Sequence, residues 1–185
     1  MVLVESGSVK VVLSEHNGAQ VIAGPYGPGE LIGELGVLDQ RPRSATVIAH
    51  RDGTGVRVVA SIFRRLVEQD HDVLVLVNAT LRDRLHRADR RQLAIASQDV
   101  TTRVAAQLLT WADTFGEASS DGVVVRGIPQ GDLAKAVVAS AKSVDAALKV
   151  LRAAGLVRTR RLWFLLPDPT LLRDLLNDRG WRKTT

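Results

Sequence analysis

The chain of 185 residues contains no cysteine. This absence excludes disulfides, zinc fingers and iron–sulfur clusters held by thiolates. The four histidines (His16, His50, His71 and His86) stand apart, without HxH or HExxH spacing, so no metal site is expected. No apolar run reaches the roughly 18 residues that a membrane span needs, and the first residues lack the pattern of a signal peptide. These absences predict a cytoplasmic protein that has no contact with a membrane.

The composition is that of a chain with a core, because 45% of its residues are hydrophobic and 24% are charged. The formal net charge of +5 is modest but unevenly distributed. Basic residues concentrate at Arg82–Arg91, Arg158–Arg161 and Arg179–Lys183. Such clusters suit a polyanionic partner, although a solvated helix face explains the first cluster equally well.

Residues 1–63 have the pattern of β-structure. Val9, Val11 and Leu13 stand at alternate positions, and Asn17-Gly18 is a typical hairpin turn. Three further strands are predicted, the first beginning at Val21 and the others at Ala45–Ala49 and Val56–Ala60. Short strands with glycine-rich turns favour a roll or a sandwich.

Residues 61–115 contain neither glycine nor proline and have a helical period. Seven residues alternate four and three positions apart, as in the a and d positions of a coiled coil: Leu74, Asn78, Leu81, Leu85, Ala88, Gln92 and Ile95. One interpretation is a two-chain coiled coil whose register is fixed by the polar Asn78 and Gln92. The other is a helix that packs on its own domain.

The remaining sequence predicts a loop with a short β run at 116–127 and a compact unit at 128–166. The unit comprises a helix over Ile128–Val138, a second helix over Ser140–Ala153, and an apolar and basic hairpin that ends before Pro167. A final amphipathic helix is predicted at Thr170–Asn177.

Residues 29–47, GELIGELGVLDQRPRSATV, resemble the phosphate-binding cassette of cyclic-nucleotide-binding domains in the order G-E-L, short helix, R-S-A-T. The chemistry fits this resemblance, because a cyclic phosphodiester carries one negative charge and needs a fixed cation with several N–H donors. Arg43 can supply a bidentate guanidinium and Ser44 a hydroxyl. The backbone amides from Gly33 to Leu35 add donors at a helix start, and Glu34 can accept from a ribose 2′-hydroxyl. The alternative is an empty pocket in which Arg43 and Glu34 pair with each other.

The resemblance implies a cyclic nucleotide, cAMP or cGMP, as a possible effector, and no obligatory cofactor. Members that bind cyclic AMP place a Thr-Ser pair on the dimer helix to read the adenine amino group. The matching positions here are Ala88, which cannot hydrogen-bond, and Asp89, which can accept from an amino group. Members also carry a helix and further strands ahead of the point where this chain begins, so an incomplete roll is expected, either shortened or degenerate.

Residues 128–166 resemble the helix-turn-helix of the Crp/Fnr family, the cyclic-AMP receptor and fumarate–nitrate regulators. The resemblance makes Gln130–Val138 the positioning helix, with Leu133, Ala134 and Val137 inward, and Ser140 the N-cap of the recognition helix. That helix buries Val144, Ala147, Leu148 and Leu151, and its first turns are expected at base edges in the major groove.

The chain departs from the Crp/Fnr pattern at two informative places. The family commonly has glycine at the turn, where Val138 stands and where positive φ would be strained. The base-reading Arg, Glu and Arg of cyclic-AMP receptors are replaced by Ala141, Lys142 and Ala146. Phosphate contacts should therefore contribute more of the affinity. The expected DNA-binding residues are Gln130, Ser140, Lys142, Ser143, Lys149, Arg158, Arg160 and Arg161.

Together these patterns predict an α+β protein with an incomplete β-roll of the cyclic-nucleotide-binding type over 1–72, a dimerisation helix over 73–98 and a winged helix-turn-helix over 99–185. The predicted function is that of a homodimeric transcription regulator that binds double-stranded DNA and acts with RNA polymerase. The alternative is a regulatory module with a winged helix kept for protein contacts. An enzyme is not expected, because no nucleophile–base pair, metal cluster or Walker-type loop is visible.

Overall fold

The structure is a computed structural model that describes residues 1–177. The basic cluster Arg179–Lys183 lies outside these residues. The described residues divide into two compact units, one formed by Met1–Ala19 and Ala23–Gln92, the other by Gln20–Ile22 and residues 93–177.

The β-strands and α-helices alternate irregularly along the chain, as in an α+β protein. In chain order they are β1 (Val2–Val4), β2 (Ser8–Ser14), β3 (Gln20–Tyr26), β4 (Leu31–Ile32), α1 (Glu34–Leu38), β5 (Thr46–Arg51), β6 (Gly55–Arg57), α2 (Ala60–Gln69), α3 (His71–Ser97), α4 (Val100–Phe115), β7 (Glu117–Ser119), β8 (Gly122–Arg126), α5 (Gln130–Val137), α6 (Ala141–Ala153), β9 (Arg158–Arg160), β10 (Trp163–Leu166) and α7 (Pro169–Asn177).

Strands β1 to β6 form two three-stranded sheets, with the orders β4-β1-β6 and β3-β2-β5, in which β1 pairs antiparallel with β4 and β6, and β2 with β5. Met1, Val37, Phe63 and Val77 form a buried cluster in the first unit. Seven partly buried apolar residues pack against that cluster: Leu31, Leu38, Val58, Ala60, Val67, Val73 and Leu81. The short helix α1 and the first turns of α3 are therefore held by one apolar core.

The second unit is built around α4, which buries Val104, Leu108 and Trp111 at helical spacing. Its four strands form a sheet of order β7-β8-β10-β9, in which Phe164 lies opposite Val125 and Leu165 opposite Val124. All four side chains are buried, and because successive side chains of a strand point to opposite faces, the sheet is covered on both faces at these positions.

Three local predictions from the sequence were wrong. The strand expected over Val56–Ala60 ends at Arg57, because α2 begins at Ala60 and its first turn needs the residues before it as a cap. Residues 117–126 form a complete hairpin of β7 and β8, closed by the turn before Gly122, rather than a loop with one short run. Leu81, placed on the coiled-coil seam, packs against the core of its own unit.

Within residues 1–177, no helix is long and apolar enough to cross a bilayer. In the same part of the chain, no three His, Cys, Asp or Glu side chains come together as a metal-binding group would require.

Candidate functional sites

The loop before β5 places the Arg43 guanidinium beside the start of α1. Arg43 Nη1 donates to the carbonyl of Gly33, and the Arg43 side chain is exposed. Gly33 has φ +82°, a left-handed conformation that favours glycine, and a Cβ at this position would lie against the guanidinium. The absence of a side chain at Gly33 thus leaves the space that Arg43 occupies.

Glu34 is the only buried charged residue among residues 1–177, with 1% of its side chain exposed. Its partner is Arg84 on α3. Arg84 Nη1 donates to Glu34 Oε1, and Nη2 donates to the carbonyl of Leu31. Glu34 Oε2 is also buried, and it has no hydrogen-bond partner within the described part of the chain. The ion pair between Arg43 and Glu34 that the sequence left open is not formed. Each of these side chains has a different partner, and Glu34 Oε2 is a buried acceptor that the described residues leave unsatisfied.

A cluster of arginines continues from Glu34 along α3, around the ring of Tyr26. The guanidinium carbon of Arg84 lies 4.8 Å from the centroid of this ring, and that of Arg87 lies 5.8 Å from it. Arg87 Nη1 and Nη2 both donate to Glu30 Oε1 at 3.3 Å. Burial lowers the pKa of the Arg91 guanidinium from its ordinary value, while Tyr26 shifts that pKa in the opposite direction.

The other residues expected at the ligand lie on α1, in the loop after it and on α3. Leu35 and Ser44 are exposed near the start and after the end of α1. Ala88 and Asp89 are exposed on α3, one and two positions beyond Arg87. The structure brings Glu34, Arg84, Tyr26 and Arg87 into one contact chain, whereas Asp89 makes no contact that joins it to Glu34.

The recognition helix α6 begins at the expected cap. The Ser140 hydroxyl accepts from the backbone N–H of Ser143 at 3.0 Å, which satisfies one of the free donors of the first turn. Both helices of the motif bury the predicted residues: Leu133, Ala134 and Val137 on α5, and Val144, Ala147, Leu148 and Leu151 on α6.

The opposite face of the motif is polar and accessible. Ala141, Lys142 and Ala146 are exposed on the first turns of α6, and Gln130 is exposed at the start of α5. Lys149 pairs with Asp145 one helical turn earlier, at 3.1 Å. The hairpin of β9 and β10 carries exposed Arg158, Arg160 and Arg161, and Arg160 lies over the Trp163 ring at 5.6 Å.

The turn between α5 and α6 has a left-handed conformation at Val138, although the valine there makes that conformation unfavourable. Val138 has φ +52° and ψ +60°, in the left-handed region where a β-branched side chain is strained. Its backbone N–H still donates to the carbonyl of Ala134, so the helix ends in a regular cap.

Replacing Val138 with glycine is expected to raise the free energy of unfolding by about 1 kcal/mol, since the relief of left-handed strain exceeds the added entropy of glycine in the unfolded chain. Urea denaturation followed by circular dichroism measures the change. Val150→Gly is the matched control, because Val150 is similarly exposed (39% against 41%) but lies inside α6. The control should be less stable than the unmodified protein. A loss of stability in Val138→Gly would contradict the strain.

Arg103 holds the ends of two helices together within the second unit. Its Nη1 donates to the carbonyls of Ile95 and Gln98 at the end of α3, and its Nε donates to the carbonyl of Val137 at the end of α5. The free carbonyls at helix C-termini carry partial negative charge, so one guanidinium stabilises both ends.

Sequence reasoning missed Arg84, Arg87, Tyr26 and Arg103. The Glu34 and Arg84 partners are 50 residues apart, and no periodic pattern connects a loop glutamate with a position on a distant helix. The basic cluster at 82–91 was the available signal, but it fitted a solvated helix face equally well.

Comparison with known proteins agrees with these geometries. Residues 1–70 match the cyclic nucleotide-binding domain family, and residues 102–175 match the Crp-like helix-turn-helix domain family. The cAMP-activated global transcriptional regulator Vfr of Pseudomonas aeruginosa is 30% identical over 159 residues, which are 83% of this chain and 74% of Vfr. The cAMP-activated global transcriptional regulator CRP of Escherichia coli is 29% identical over 153 residues, covering 82% of this chain and 72% of CRP.

A crystal structure of a CRP/FNR family transcriptional regulator from Thermus thermophilus has the same fold, with a TM-score of 0.82 at 24% identity, over 97% of this chain and 88% of that one. A β-sheet sensor unit, a long helix and a capped helix-turn-helix define the class of transcriptional regulators with a cyclic-nucleotide-binding-type domain. The chain belongs to the Crp/Fnr family.

Proposed function

We propose that this protein is a homodimeric regulator that binds duplex DNA through α6 and the β9–β10 hairpin, under the control of a cyclic nucleotide bound beside Glu34. The observation that carries the proposal is the exposed, capped first turn of α6 next to a hairpin with three exposed arginines. A helix N-terminus of this kind fits the major groove, and arginines suit phosphates. RNA polymerase is the protein partner proposed for this regulator.

A mobility-shift experiment with genomic DNA fragments at two salt concentrations tests this function. Binding should weaken steeply as salt rises, because protein cations replace counterions released from the phosphates. Binding that ignores salt, or that survives deletion of residues 128–185, would exclude the winged helix as the DNA-binding element, and the absence of any binding would favour a winged helix kept for protein contacts.

Two residues, Glu34 and Arg43, support the proposal that the protein binds a cyclic nucleotide. Glu34 Oε2 has no hydrogen-bond partner among the described residues, and an ionised carboxylate oxygen is an acceptor that a ribose hydroxyl can satisfy. Exposed Arg43 is held only by a backbone carbonyl in the contacts described above, so it can exchange that neutral acceptor for a phosphate anion.

Replacing Arg43 with alanine is expected to lower the affinity for cGMP and cAMP at least tenfold, because a hydrogen bond to a charged group contributes about 1.5–3 kcal/mol. Isothermal titration calorimetry measures the loss. Arg41→Ala is the control, since Arg41 is also exposed in this loop. Equal affinities for Arg43→Ala and the unmodified protein would exclude Arg43 as the phosphate ligand.

The dimer is proposed to form through α3. Leu74, Leu85 and Ile95 lie on the predicted seam and are 38%, 60% and 40% exposed within one chain. Exposed leucine and isoleucine at heptad spacing favour a second copy of the same helix as the partner. Leu81 is excluded from this argument because it packs in its own unit.

Replacing Leu85 with lysine is expected to yield monomers, because it places a charge where two apolar helices meet. Leu76→Lys is the control. Leu76 is 66% exposed and lies nine residues before Leu85, on the opposite face of α3. Sedimentation at tens of micromolar should show dimers for the unmodified protein and for the control. A monomeric unmodified protein would refute the seam.

A further inference from the structure

Arginine donors continue along α3 beyond the proposed sugar contact of Glu34. Glu34 would hold the sugar, and its other carboxylate oxygen is bound by Arg84, which points the site toward α3. Beyond Arg84 lie the Tyr26 ring and then Arg87. This inference rests on the proposed nucleotide binding and concerns which base is bound.

Arg87 is held in a defined position although its side chain is 49% exposed. Glu30 Oε2 accepts from the backbone N–H of Gly27 at 3.0 Å, and Glu30 Oε1 accepts from both terminal nitrogens of Arg87. The Tyr26 ring supports the same guanidinium at 5.8 Å. A guanidinium has five N–H groups, so donors remain after the two used on Glu30.

The remaining N–H donors of Arg87 match the acceptors of guanine better than those of adenine. Guanine presents two adjacent acceptors, O6 and N7, that match the fork of an arginine, whereas adenine presents N7 beside an N6 amino group that is itself a donor. An adenine amino group opposite Arg87 would bring two donors together. Ala88, the next residue on α3, has no side-chain acceptor for an amino group.

We propose that Arg87, positioned by Glu30 and Tyr26, selects a guanine base over adenine, so that the effector is a guanosine 3′,5′-cyclic phosphate. The specificity contact is bidentate, from the Arg87 guanidinium to O6 and N7. Lysine at this position would keep the charge but lose the fork geometry.

Calorimetric titration of the full chain with cGMP, cyclic inosine monophosphate and cAMP tests this proposal. The inosine analogue keeps O6 and N7 but lacks the 2-amino group, so it isolates the contact assigned to Arg87. We expect cGMP and the inosine analogue to bind about tenfold or more tightly than cAMP. Arg87→Lys should abolish that ratio by weakening the two oxo-purine nucleotides, while the affinity for cAMP stays within a factor of about three.

Arg90→Lys is the matched control, because Arg90 is exposed on α3 three residues away and undergoes the same change of side chain. It should preserve the preference. Binding of cAMP that equals or exceeds binding of cGMP, or an unchanged ratio in Arg87→Lys, overturns the guanine assignment and leaves the proposed cyclic-nucleotide control standing. No binding of any of the three nucleotides overturns both.

Discussion

Replacing Arg84 with methionine is expected to lower the free energy of unfolding of the first unit by about 3–5 kcal/mol, because it leaves the buried Glu34 carboxylate without its cation. The Glu34 side chain is 1% exposed and that of Arg84 is 19% exposed, so the carboxylate is poorly hydrated once its partner is lost. The carbonyl of Leu31 loses its donor in the same variant. Urea denaturation without nucleotide measures the change.

A double variant distinguishes the stability lost with this ion pair from the stability lost with the packing of Arg84. Combining Glu34→Gln with Arg84→Met removes the buried charge together with its partner, so the double variant should be more stable than Arg84→Met alone. Arg87→Met removes the more exposed pair with Glu30 and should cost less than about 1 kcal/mol. Equal decreases in the free energy of unfolding of Arg84→Met and Arg87→Met would show that burial of Glu34 does not control the stability of this unit.

Reversing the charges of Arg160 and Arg161 together, to glutamate, is expected to weaken binding to all DNA sequences alike and to reduce the salt dependence by about two units of slope. The reason is that each lost phosphate contact removes about 0.9 unit of slope on B-DNA. Both side chains are exposed at the tip of the β9–β10 hairpin, and neither belongs to a core. Mobility shifts or fluorescence anisotropy at four or five salt concentrations give the slope.

The chain offers a matched control in Arg64 and Arg65, a second adjacent pair of arginines, on α2. Reversing that pair changes the net charge by the same amount, so any general effect of charge on association appears in both variants. The slope of the salt dependence of binding should decrease only in the Arg160 and Arg161 variant. A loss of the same size in both variants would mean that the hairpin makes no direct phosphate contact.

The helix-turn-helix was predictable because its signals are local. A buried face at spacings of three and four residues fixes Leu133, Val144 and Leu148 as core positions, and a serine before an amphipathic run marks a cap. Even the strained turn at Val138 could be anticipated, since the geometry of the motif requires a left-handed residue there.

The ligand site was only partly predictable. The order of residues in the cassette indicates Glu34 and Arg43, whose neighbours in sequence are also neighbours in space. The partners of Glu34 and Glu30 come from a helix 50 and 57 residues away, and one face of that helix cannot be distinguished from another without the fold. The same reason explains Leu81: the heptad pattern placed it correctly on α3 but could not tell a partner helix from the core of its own unit.

The two exposed alanines on the first turns of α6 have a consequence for behaviour in a cell. A genome offers about 10⁶–10⁹ competing sites, and each base pair that is read directly contributes about 1–3 kcal/mol to the choice among them. Of positions 141, 142 and 146, only Lys142 carries a side chain long enough to reach a base edge. We therefore expect most copies of the protein to reside on unrelated DNA, and the occupancy of any one operator to follow the number of copies in the cell.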